Sequence, residues 1–376
     1  MADNESNALL VGVEEEFLLV DAETGIPTPR ITRVLPKAER LVGDRAQEEL
    51  HQAQIEHATG ACDSLTQLRS ELVELRQKFV RAAEVTGSRV VASGTYPDEM
   101  GDAGRMITAK SRYEEMAAAN SILAREQLIC GCHIHVSVPT PERAVNVMNR
   151  IRAWLPHLLA MSANSPFWEG EDTGFASFRT EVWSRWPTSG PPGFFKSVEE
   201  YERLLDQLVK ADIIVDKKMA YWDVRPSEAF PTIEIRINDV MSRVDDVVAI
   251  AGITRALVAT CDRAASPVDD YRWELLRAAN WRAARSGLNE TLVSPVDGVA
   301  RPAIQAIGHL LEQVALLLDE RGEREEIVSL VEALLKRGNG ATRQRTAYGR
   351  RHAFADVIES VTLGQDGHPL EVSSGR

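Results

Sequence analysis

Hydrophobic and polar residues alternate along several short segments of this sequence, most clearly in TIEIRIN at residues 232–238. Isoleucine occupies every second position, and Glu234 and Arg236 lie between the isoleucines. Since side chains two residues apart lie on the same face of a strand, the pattern predicts one face packed on the core and one polar face. The polar face places a carboxylate beside a guanidinium, which suits a site for a cation and an anionic group. A half-exposed strand with a surface ion pair would give the same pattern.

Similar patterns predict the remaining elements. Strands are expected at residues 9–20, 52–59, 89–94, 129–138 and 220–225. Apolar residues three or four apart, such as Leu68, Leu72 and Leu75, predict a helix at residues 65–85. Further helices are expected at residues 111–127, 141–162, 198–210, 244–265 and 267–286, and residues 302–337 have a helical pattern throughout. Strands separated by long helices, followed by a helical C-terminal third, indicate the α+β class.

Residues 164–195 follow neither pattern, because they are rich in Gly, Pro, Ser and aromatic residues. A loop of this length inside a compact chain is usually functional or disordered. Its phenylalanines and tryptophans argue against disorder, since disordered segments contain few aromatic residues. We therefore expect an ordered lid or binding loop.

The first predicted strand contains three consecutive glutamates, Glu14, Glu15 and Glu16, within an otherwise apolar run. Strand geometry places Glu14 and Glu16 on one face and Glu15 on the other. Burying ionised carboxylates that repel one another is costly unless something compensates them. Carboxylate clusters are the oxygen ligands that Mg²⁺ and Mn²⁺ take, so Glu14 and Glu16 are candidate metal ligands. The alternative is a solvated glutamate run at a strand end, which the apolar residues 17–20 beyond it disfavour.

The segment CGCHIHVSV at residues 130–138 holds two cysteines and two histidines, which suggests a zinc site. In a strand, however, Cys130 and Cys132 share one face while His133 and His135 share the other, so the four cannot surround one tetrahedral ion. The thiols are interpreted as small core residues. The histidines lie on the polar face, where a cofactor, phosphate or metal contact and a structural role are both open. Glu56 likewise lies on the polar face of its predicted strand.

Composition narrows the classes of function. The 376-residue chain is 44% hydrophobic and 26% charged, as in ordinary soluble globular proteins. Its net charge of −13 argues against a generic nucleic-acid or anionic-membrane surface, which would need a basic footprint. No apolar run reaches the ~18 residues of a membrane span, and the N-terminus lacks signal-peptide features, so we expect a cytoplasmic protein. The phosphate-loop and dinucleotide glycine motifs are absent, so any nucleotide is held in another way.

Six segments in chain order resemble those of a known family: GVEEEF, QIEHATGAC, GTYP, CGCHIHVSV, the loop that begins SANSPFWEGEDTG, and WDVRPSEAFPTIEIRINDV. Together they resemble the YbdK-type carboxylate–amine ligases, which are the bacterial type 2 glutamate–cysteine ligases. The resemblance runs from about residue 10 to residue 240 and continues more loosely to GNGATRQR at residues 338–345. One such motif is weak, but six in order are highly specific.

The resemblance implies a glutamine-synthetase-like fold, in which a curved, mainly antiparallel sheet forms a funnel with helices outside it. It also implies ATP and two or more Mg²⁺ ions, with Mn²⁺ as an alternative. In the implied reaction, ATP phosphorylates the γ-carboxylate of glutamate, and the amine of cysteine then displaces phosphate to give γ-glutamylcysteine. Because the cysteine-ligating activity of this type is weak, another carboxylate and amine pair, or a catalytically quiet ligand-binding homologue, are the alternatives.

Positions within the matching motifs supply the implied site residues. The implied metal ligands are Glu14, Glu16, Glu56 and Glu234. The implied nucleotide-binding residues are His133, His135 and Arg236, and the implied catalytic residues are Glu16 and Arg236. The candidates for the substrate carboxylate are Arg179 and Arg185, because bidentate arginine suits that task. Anchoring of the loop is the alternative role for these two arginines.

Other points are left open by the sequence. Glu49 has a suitable spacing before Glu56 but the wrong parity for one continuous strand. Arg343 and Arg345 follow a Gly-Asn-Gly turn, and they either contact phosphate or lie in solvent at the start of a helix.

We expect one ligase domain over residues 1–376, with the sheet and site in residues 1–240 and a mostly helical part in residues 241–376. Small-molecule substrates are the expected partners, and a homodimer is the commonest default for the oligomeric state.

Overall fold

The computed structural model describes residues 9–265 and 271–370. Numbered along the chain, its strands are β1 (Val11–Asp21), β2 (Ala46–Glu48), β3 (Gln54–Ala58), β4 (Ser88–Val91), β5 (Gly131–Ser137), β6 (Phe167–Trp168), β7 (Glu171–Asp172), β8 (Val224–Pro226), β9 (Thr232–Asp239), β10 (Thr291–Val293) and β11 (Ala300–Pro302). Seven of them form one antiparallel sheet in the order β2-β3-β1-β5-β9-β8, with β4 paired to the end of β1. The pairs β6–β7 and β10–β11 are separate hairpins.

Helices surround this sheet and make up most of the chain after β9, so the expected α+β fold is confirmed. They are α1 (Ile31–Val42), α2 (Leu65–Glu84), α3 (Gly101–Gly104), α4 (Ser111–Asn120), α5 (Ile122–Arg125), α6 (Pro141–Ile151), α7 (Leu155–Ser162), α8 (Phe178–Trp183), α9 (Val198–Lys210), α10 (Val244–Arg263), α11 (Trp273–Ser286), α12 (Ala303–Glu320), α13 (Arg324–Arg337), α14 (Gly340–Arg351) and α15 (Phe354–Val361). Within the described residues, none of them has both the length and the apolar composition needed to cross a bilayer.

Helix α10 is the centre of the larger hydrophobic core. It is buried on nearly all sides because apolar residues occur around its whole circumference. It packs against α2, α6, α12 and α13 and against β5. The isoleucines of β9, Ile233, Ile235 and Ile237, belong to the same core. The alternate residues of β9 therefore face the opposite side of the sheet, as the sequence pattern predicts.

A buried ion pair ties β1 to α2. Glu15 and Arg76 are both fully buried, and the guanidinium donates from Nε and Nη2 to the two carboxylate oxygens at 2.9 and 2.5 Å. Arg76 also donates to the carbonyls of Met241 and Ser242 at 2.8 Å, just beyond β9. Burial alone would raise the pKa of Glu15, but Arg76 and His57 outweigh it and lower the pKa to about 2. Glu15 is therefore a structural residue whose charge is compensated inside the core.

Several predicted elements end earlier in the structure, because local backbone features interrupt them. The helix expected at residues 111–127 divides at Ser121, whose φ of 53° is left-handed. The helix expected at residues 141–162 divides into α6 and α7, and the helical stretch at residues 302–337 divides near Gly322. The sequence pattern does not predict α1, which contains Pro36. The helix expected at residues 267–286 begins at Trp273, and residues 267–270 lie outside the described residues.

Residues 164–195 are more regular than the sequence predicts, since they contain the hairpin β6–β7 and the helix α8. Asp239 at the end of β9 anchors them: it accepts hydrogen bonds from the Asn164 amide at 2.8 Å and from the hydroxyls of Ser165 and Ser177 at 2.7 and 2.8 Å. From α14, the Gln344 side-chain amide donates to both oxygens of Asn164 at 2.8 Å. The segment is thus held between β9 and α14.

The buried pair predicts a large loss of stability in an Arg76→Met variant. The substitution leaves the Glu15 carboxylate buried without its charged partner, which costs about 3–5 kcal/mol in the free energy of unfolding. Urea denaturation followed by circular dichroism measures this loss. The control is Arg272→Met, which removes an exposed partner of Glu274 and should cost less than about 1 kcal/mol. Equal losses in the two variants would contradict the structural role of Glu15.

Candidate active site

The polar faces of four adjacent strands line one cavity of about 430 Å³. Antiparallel register brings together three pairs of candidate residues: Glu16 with Glu56, Glu14 with His133, and His135 with Glu234. Arg236 on β9 and Arg179 on α8 also line this cavity. Eight of the nine residues with a predicted site role therefore line one cavity: strand parity and register place seven of them, and α8 places Arg179.

The first group of potential cation ligands consists of Glu14, His135 and Glu234. One ligand atom from each lies within 4.8 Å of the other two. His135 Nε2 is 3.3 Å from Glu14 Oε1, and its Nδ1 is 3.1 Å from the Thr232 hydroxyl. His133 supports the group from beside it, with Nδ1 at 3.4 Å from Glu14 Oε2.

The second group consists of Glu16, Glu49 and Glu56, whose carboxylate oxygens meet the same distance limit. Glu49 joins it because residues 49–53 form a turn between β2 and β3. The parity argument against Glu49 assumed one continuous strand, and the turn removes that assumption. Within residues 9–265 and 271–370, no salt bridge holds Glu49 or Glu56.

The two groups differ in their electrostatics. Burial would raise the pKa of Glu14, but hydrogen bonds from His133 and His135 outweigh burial and lower it. Burial likewise opposes the ionisation of Glu234, yet Arg236 and Arg225 hold its pKa well below the usual range. In the second group, burial and the charge of Glu49 raise the pKa of Glu16 to about 7.

Glu56 has the least favourable surroundings for a negative charge. Burial, and then repulsion from Glu14 and Glu49, raise its pKa well above the usual range. A divalent cation would remove this repulsion, and carboxylate oxygens are ligands that suit Mg²⁺ and Mn²⁺. The first group, with two carboxylates and one imidazole, also suits these ions. The residues present therefore fit the metal that the sequence resemblance implies.

His133 provides an independent sign of a ligand. Its side chain is buried, and Nε2 has no hydrogen-bond partner, with Glu16 Oε1 at 3.8 Å. Burial, and then the nearby Arg236 charge, lower the pKa of His133 to about 4, so the ring is neutral near pH 7. A neutral imidazole nitrogen that faces a polar cavity is available to a ligand.

Arg236 is fixed on three sides. It forms an ion pair with Glu234, and its guanidinium lies 5.8 Å from the Trp183 ring and 5.9 Å from the Tyr221 ring. Glu234 is shared with Arg225, whose Nε donates to it at 2.7 Å. Sequence reasoning missed Arg225, because a three-residue strand has too short a pattern to assign its faces.

Arg179 reaches the cavity from α8 through a close approach to β5. It donates to the carbonyls of Arg236 and Ile237 at 3.4 Å, and it lies 3.9 Å from the Asp239 carboxylate. A Cβ atom at Gly131 would collide with the Arg179 guanidinium, so a larger residue there would displace this side chain. The Gly131 amide donates to Glu16 at 2.6 Å.

The structure does not bring Arg185 into the cavity. Arg185 donates to the Glu126 carboxylate at 2.7 Å and to its carbonyl at 3.2 Å, so it anchors the loop, and its assignment to substrate binding is corrected. Arg343 lies 3.1 Å from buried Asp246, and Arg345 donates to Asp172 at 2.6 Å. Both are therefore structural contacts rather than free cations at a helix start.

The two cysteines of the segment at residues 130–138 are core residues, as strand parity predicts. Cys130 and Cys132 are fully buried on the face opposite His133. Burial raises the pKa of both thiols well above the usual range, so neither is a thiolate ligand.

A model of the family described as "Glutamate-cysteine ligase family 2" matches residues 10–362 of this chain. The chain belongs to this family. A protein of Frankia alni, named as a glutamate–cysteine ligase 2-2, is 43% identical over 93% of this chain and 95% of its own length. A protein of Nocardia farcinica, named as a glutamate–cysteine ligase 2-1, is 42% identical over 94% of this chain and 92% of its own length.

Solved structures share the fold at much lower identity. The glutamate–cysteine ligase of Francisella tularensis in complex with AMP has a TM-score of 0.72 and 12% identity over 97% of this chain and 90% of that one. A bifunctional glutathione synthetase of Pasteurella multocida has a TM-score of 0.68 and 15% identity over 93% of this chain and 50% of that one. The predicted family and the glutamate–cysteine-ligase-like fold are therefore confirmed.

The carboxylate cluster predicts an unusual effect of Glu56→Gln. Without divalent cations at pH 8, the variant should melt about 2 °C higher than the wild type, because the substitution removes a carboxyl group whose ionised form is opposed by burial and by the charges of Glu14 and Glu49. Adding Mn²⁺ should raise the melting temperature of the wild type but raise that of the variant much less. Differential scanning fluorimetry with and without Mn²⁺ measures both effects.

The matched control is Glu171→Gln, an exposed glutamate of β7, which should change neither melting temperature. A Glu56→Gln protein that melts lower than the wild type without cations would contradict the repulsive cluster. Such a result would mean that the ionised Glu56 carboxylate itself stabilises the fold.

Proposed function

We propose that this chain is an ATP-dependent carboxylate–amine ligase that joins L-glutamate to L-cysteine with weak activity. The observation that carries the proposal is the meeting of six potential cation ligands and the Arg236 guanidinium in one cavity of a family member. ATP use is supported by the Francisella tularensis ligase of the same fold, which was solved with AMP.

In the proposed first step, the γ-carboxylate of glutamate attacks the γ-phosphorus of ATP, the bond to the ADP oxygen breaks, and an acyl phosphate forms. Two sets of residues would hold Mg²⁺ or Mn²⁺ for this step: Glu14, His135 and Glu234, and Glu16, Glu49 and Glu56. Such ions, when bound, offset the charge of the phosphates. His133, with its free Nε2, would bind the nucleotide beside the first set.

Arg236 is proposed to contact the transferred phosphoryl group. Its position is fixed by Glu234 and by the rings of Trp183 and Tyr221, so little reorganisation is needed as charge develops. Arg179 is proposed to bind the substrate carboxylate, because it presents a guanidinium on the same cavity. Glu16 and Arg236 remain the residues proposed for direct catalysis.

In the proposed second step, the amine attacks the acyl carbon, phosphate leaves with the bonding electrons, and the nitrogen loses a proton to give the amide. The step needs no protein nucleophile. The protein contributes by holding the acyl phosphate and the amine in contact, which converts a bimolecular step into one within a complex.

Two alternatives differ from this proposal in testable ways. The same chemistry on another carboxylate and amine pair would use the same cation ligands and Arg236, and a panel of substrates distinguishes it from the glutamate–cysteine reaction. A catalytically quiet ligand-binding homologue is disfavoured, because burying mutually repelling carboxylates such as Glu16 and Glu56 stabilises no fold by itself.

We also propose a single ligase domain, since the larger core joins sheet residues such as Ile235 to helical residues such as Leu310. The proposed use of ATP favours the cytoplasm as the working compartment. A homodimer is the proposed oligomeric state by default only.

The reaction predicts ADP release that requires both an acid and an amine. The assay combines the protein with Mg²⁺, ATP and a panel of carboxylates and amines, including L-glutamate and L-cysteine. Turnover only when both partners are present supports the ligase. Tight binding of one ligand without turnover of any pair would instead favour the quiet homologue.

The metal assignment predicts that Glu16→Gln lowers kcat/KM at least about 100-fold at saturating Mg²⁺, a loss of about 3 kcal/mol in transition-state stabilisation. The fold should persist, because the substitution removes a charge that burial and Glu49 already oppose. Circular dichroism checks the fold, and Glu23→Gln in an exposed turn is the control. Near-wild-type activity of Glu16→Gln would exclude Glu16 from the metal site.

A further inference from the structure

Helix α11 holds the aromatic loop at residues 164–195 with its inner face and leaves its outer face exposed. On the inner face, the Asn280 amide donates to the buried Asp223 carboxylate at 2.6 Å. The Ala284 carbonyl accepts a hydrogen bond from the Ser177 amide at 2.9 Å, immediately before α8. A partner bound to the outer face of α11 would therefore contact the helix that supports this loop.

A row of exposed tryptophans and arginines follows the outer face of α11. The row recurs every four residues and consists of Trp273, Arg277, Trp281 and Arg285. Since positions four apart are neighbours on a helix, these side chains form one continuous row, which we call the α11 ridge. The two tryptophans are 42% and 50% exposed, and both arginines are exposed as well.

The side chains of the α11 ridge are stacked on one another and on Phe175 of the aromatic loop. The Arg277 guanidinium lies 5.6 Å from the Trp273 ring. Phe175 packs against Trp281 with ring centroids 6.1 Å apart, and the Arg285 guanidinium lies 5.6 Å from the Phe175 ring. Among the residues that the structure describes, no ion pair or hydrogen bond holds Arg277. The stacking limits side-chain freedom, so little further entropy is lost when a partner binds.

Apolar side chains lie exposed beside the α11 ridge. Leu275 on the same helix is 66% exposed. The Tyr271 hydroxyl donates to the Pro295 carbonyl at 2.6 Å and holds the loop between β10 and β11 next to the start of α11, where Val296 is 75% exposed. Single exposed apolar residues are ordinary, but several of them around a row of tryptophans and arginines mark a contact surface.

Two classes of partner fit a row of tryptophans and arginines. Single-stranded nucleic acid stacks its bases on aromatic rings and pairs its phosphates with cations. The net charge of −13, however, repels such a polyanion from the rest of the surface. A protein surface is therefore the favoured partner, and tryptophan and arginine are the residues enriched where protein interfaces bind most tightly.

A second copy of this chain matches the α11 ridge residue by residue. When two α11 helices lie antiparallel about a twofold axis between Arg277 and Trp281, Arg277 faces the partner's Trp281, and Trp273 faces the partner's Arg285. The constant spacing of four therefore brings every tryptophan onto an arginine. A parallel arrangement would place arginine against arginine. Rows with a spacing of four on two helices pack at an angle of about −50°, which lets the rows run side by side.

We propose that the α11 ridge forms the interface of a homodimer, in which each tryptophan of the ridge stacks on an arginine of the partner subunit. The four cation–π contacts strengthen as the interface excludes water. Twofold dimers are the commonest assemblies, so this symmetry requires no special condition. Because Phe175 is part of the stack, the dimer also covers the aromatic loop that carries Arg179. The interface does not depend on the proposed ligase reaction.

The central contact predicts the effect of Trp281→Arg. The substitution places an arginine against the partner's Arg277 at two symmetric positions, so the Kd of the dimer should rise at least about 100-fold. Sedimentation velocity at protein concentrations up to about 100 μM measures this Kd. The control is Leu316→Arg, which introduces the same side chain at an exposed residue of α12 and should leave the Kd unchanged. Circular dichroism checks that both variants fold.

An exchange between subunits tests the pairing itself. Arg277→Trp and Trp281→Arg are prepared as separate proteins and then mixed. In the mixed dimer, both central contacts again join a tryptophan to an arginine, so its Kd should return to within about threefold of the wild-type value. Native mass spectrometry identifies the mixed dimer by its mass. Such a recovery cannot arise within one chain, so it reports the contact between subunits.

Arg277→Glu covers the case in which Trp281→Arg fails to fold, because Arg277 is exposed and its loss should still raise the Kd at least about tenfold. A dimer that both variants leave intact would overturn the proposal. So would a mixture that yields no mixed dimer although each variant folds. A wild type that stays monomeric at every concentration also overturns it, even when the ridge binds a fluorescent oligothymidylate, since the partner would then be nucleic acid.

Discussion

The pleat of β1 imposes the constraint on which the site depends. Three consecutive glutamates cannot all face the same side of a strand, so Glu15 enters the core while Glu14 and Glu16 enter the cavity. Arg76 makes this choice stable, because it satisfies both oxygens of Glu15 where no water reaches. A shift of one residue in register would exchange the two sets, so that Glu14 and Glu16 would both enter the core, where Arg76 offers one guanidinium for two carboxylates. The structural ion pair therefore fixes which carboxylates are available for chemistry.

The strand β9 joins this arrangement to the aromatic loop. Its polar face carries Glu234 and Arg236 into the cavity, and Asp239 at its end holds the loop through Ser165 and Ser177. Because α8 follows directly, the same anchor sets the position of Arg179. One strand thus positions residues on both sides of the cavity. This explains how a loop with little regular structure can contribute to a defined site.

The part of the site that depends on strand periodicity can be predicted from the sequence. The parity of Glu14 and Glu16, and the assignment of the cysteines to the core, follow from alternation alone. Alternation cannot predict where the side chain of Glu49 points. Residues 49–53 connect β2 to β3 outside any strand, so their side chains follow no fixed periodicity. Alternation also cannot separate Arg179 from Arg185: both lie in one loop, and only the contact of Arg185 with Glu126 distinguishes them. Contacts between residues far apart in the chain are thus the main feature of the site that cannot be predicted from the sequence.

The two cation groups are unequal, and the difference comes from their neighbours. Histidines and arginines compensate Glu14 and Glu234, so the first group keeps its charge and its geometry without a ligand. Burial and repulsion from neighbouring carboxylates oppose ionisation of Glu16 and Glu56. The histidine and arginine contacts of the first group do not offset this repulsion. Binding a cation at the second group must therefore be coupled to loss of protons, whereas binding at the first group requires little change. In the proposed reaction, the first group would hold the nucleotide's cation without rearrangement, and the second group would take up its cation only as its carboxyl groups lose their protons.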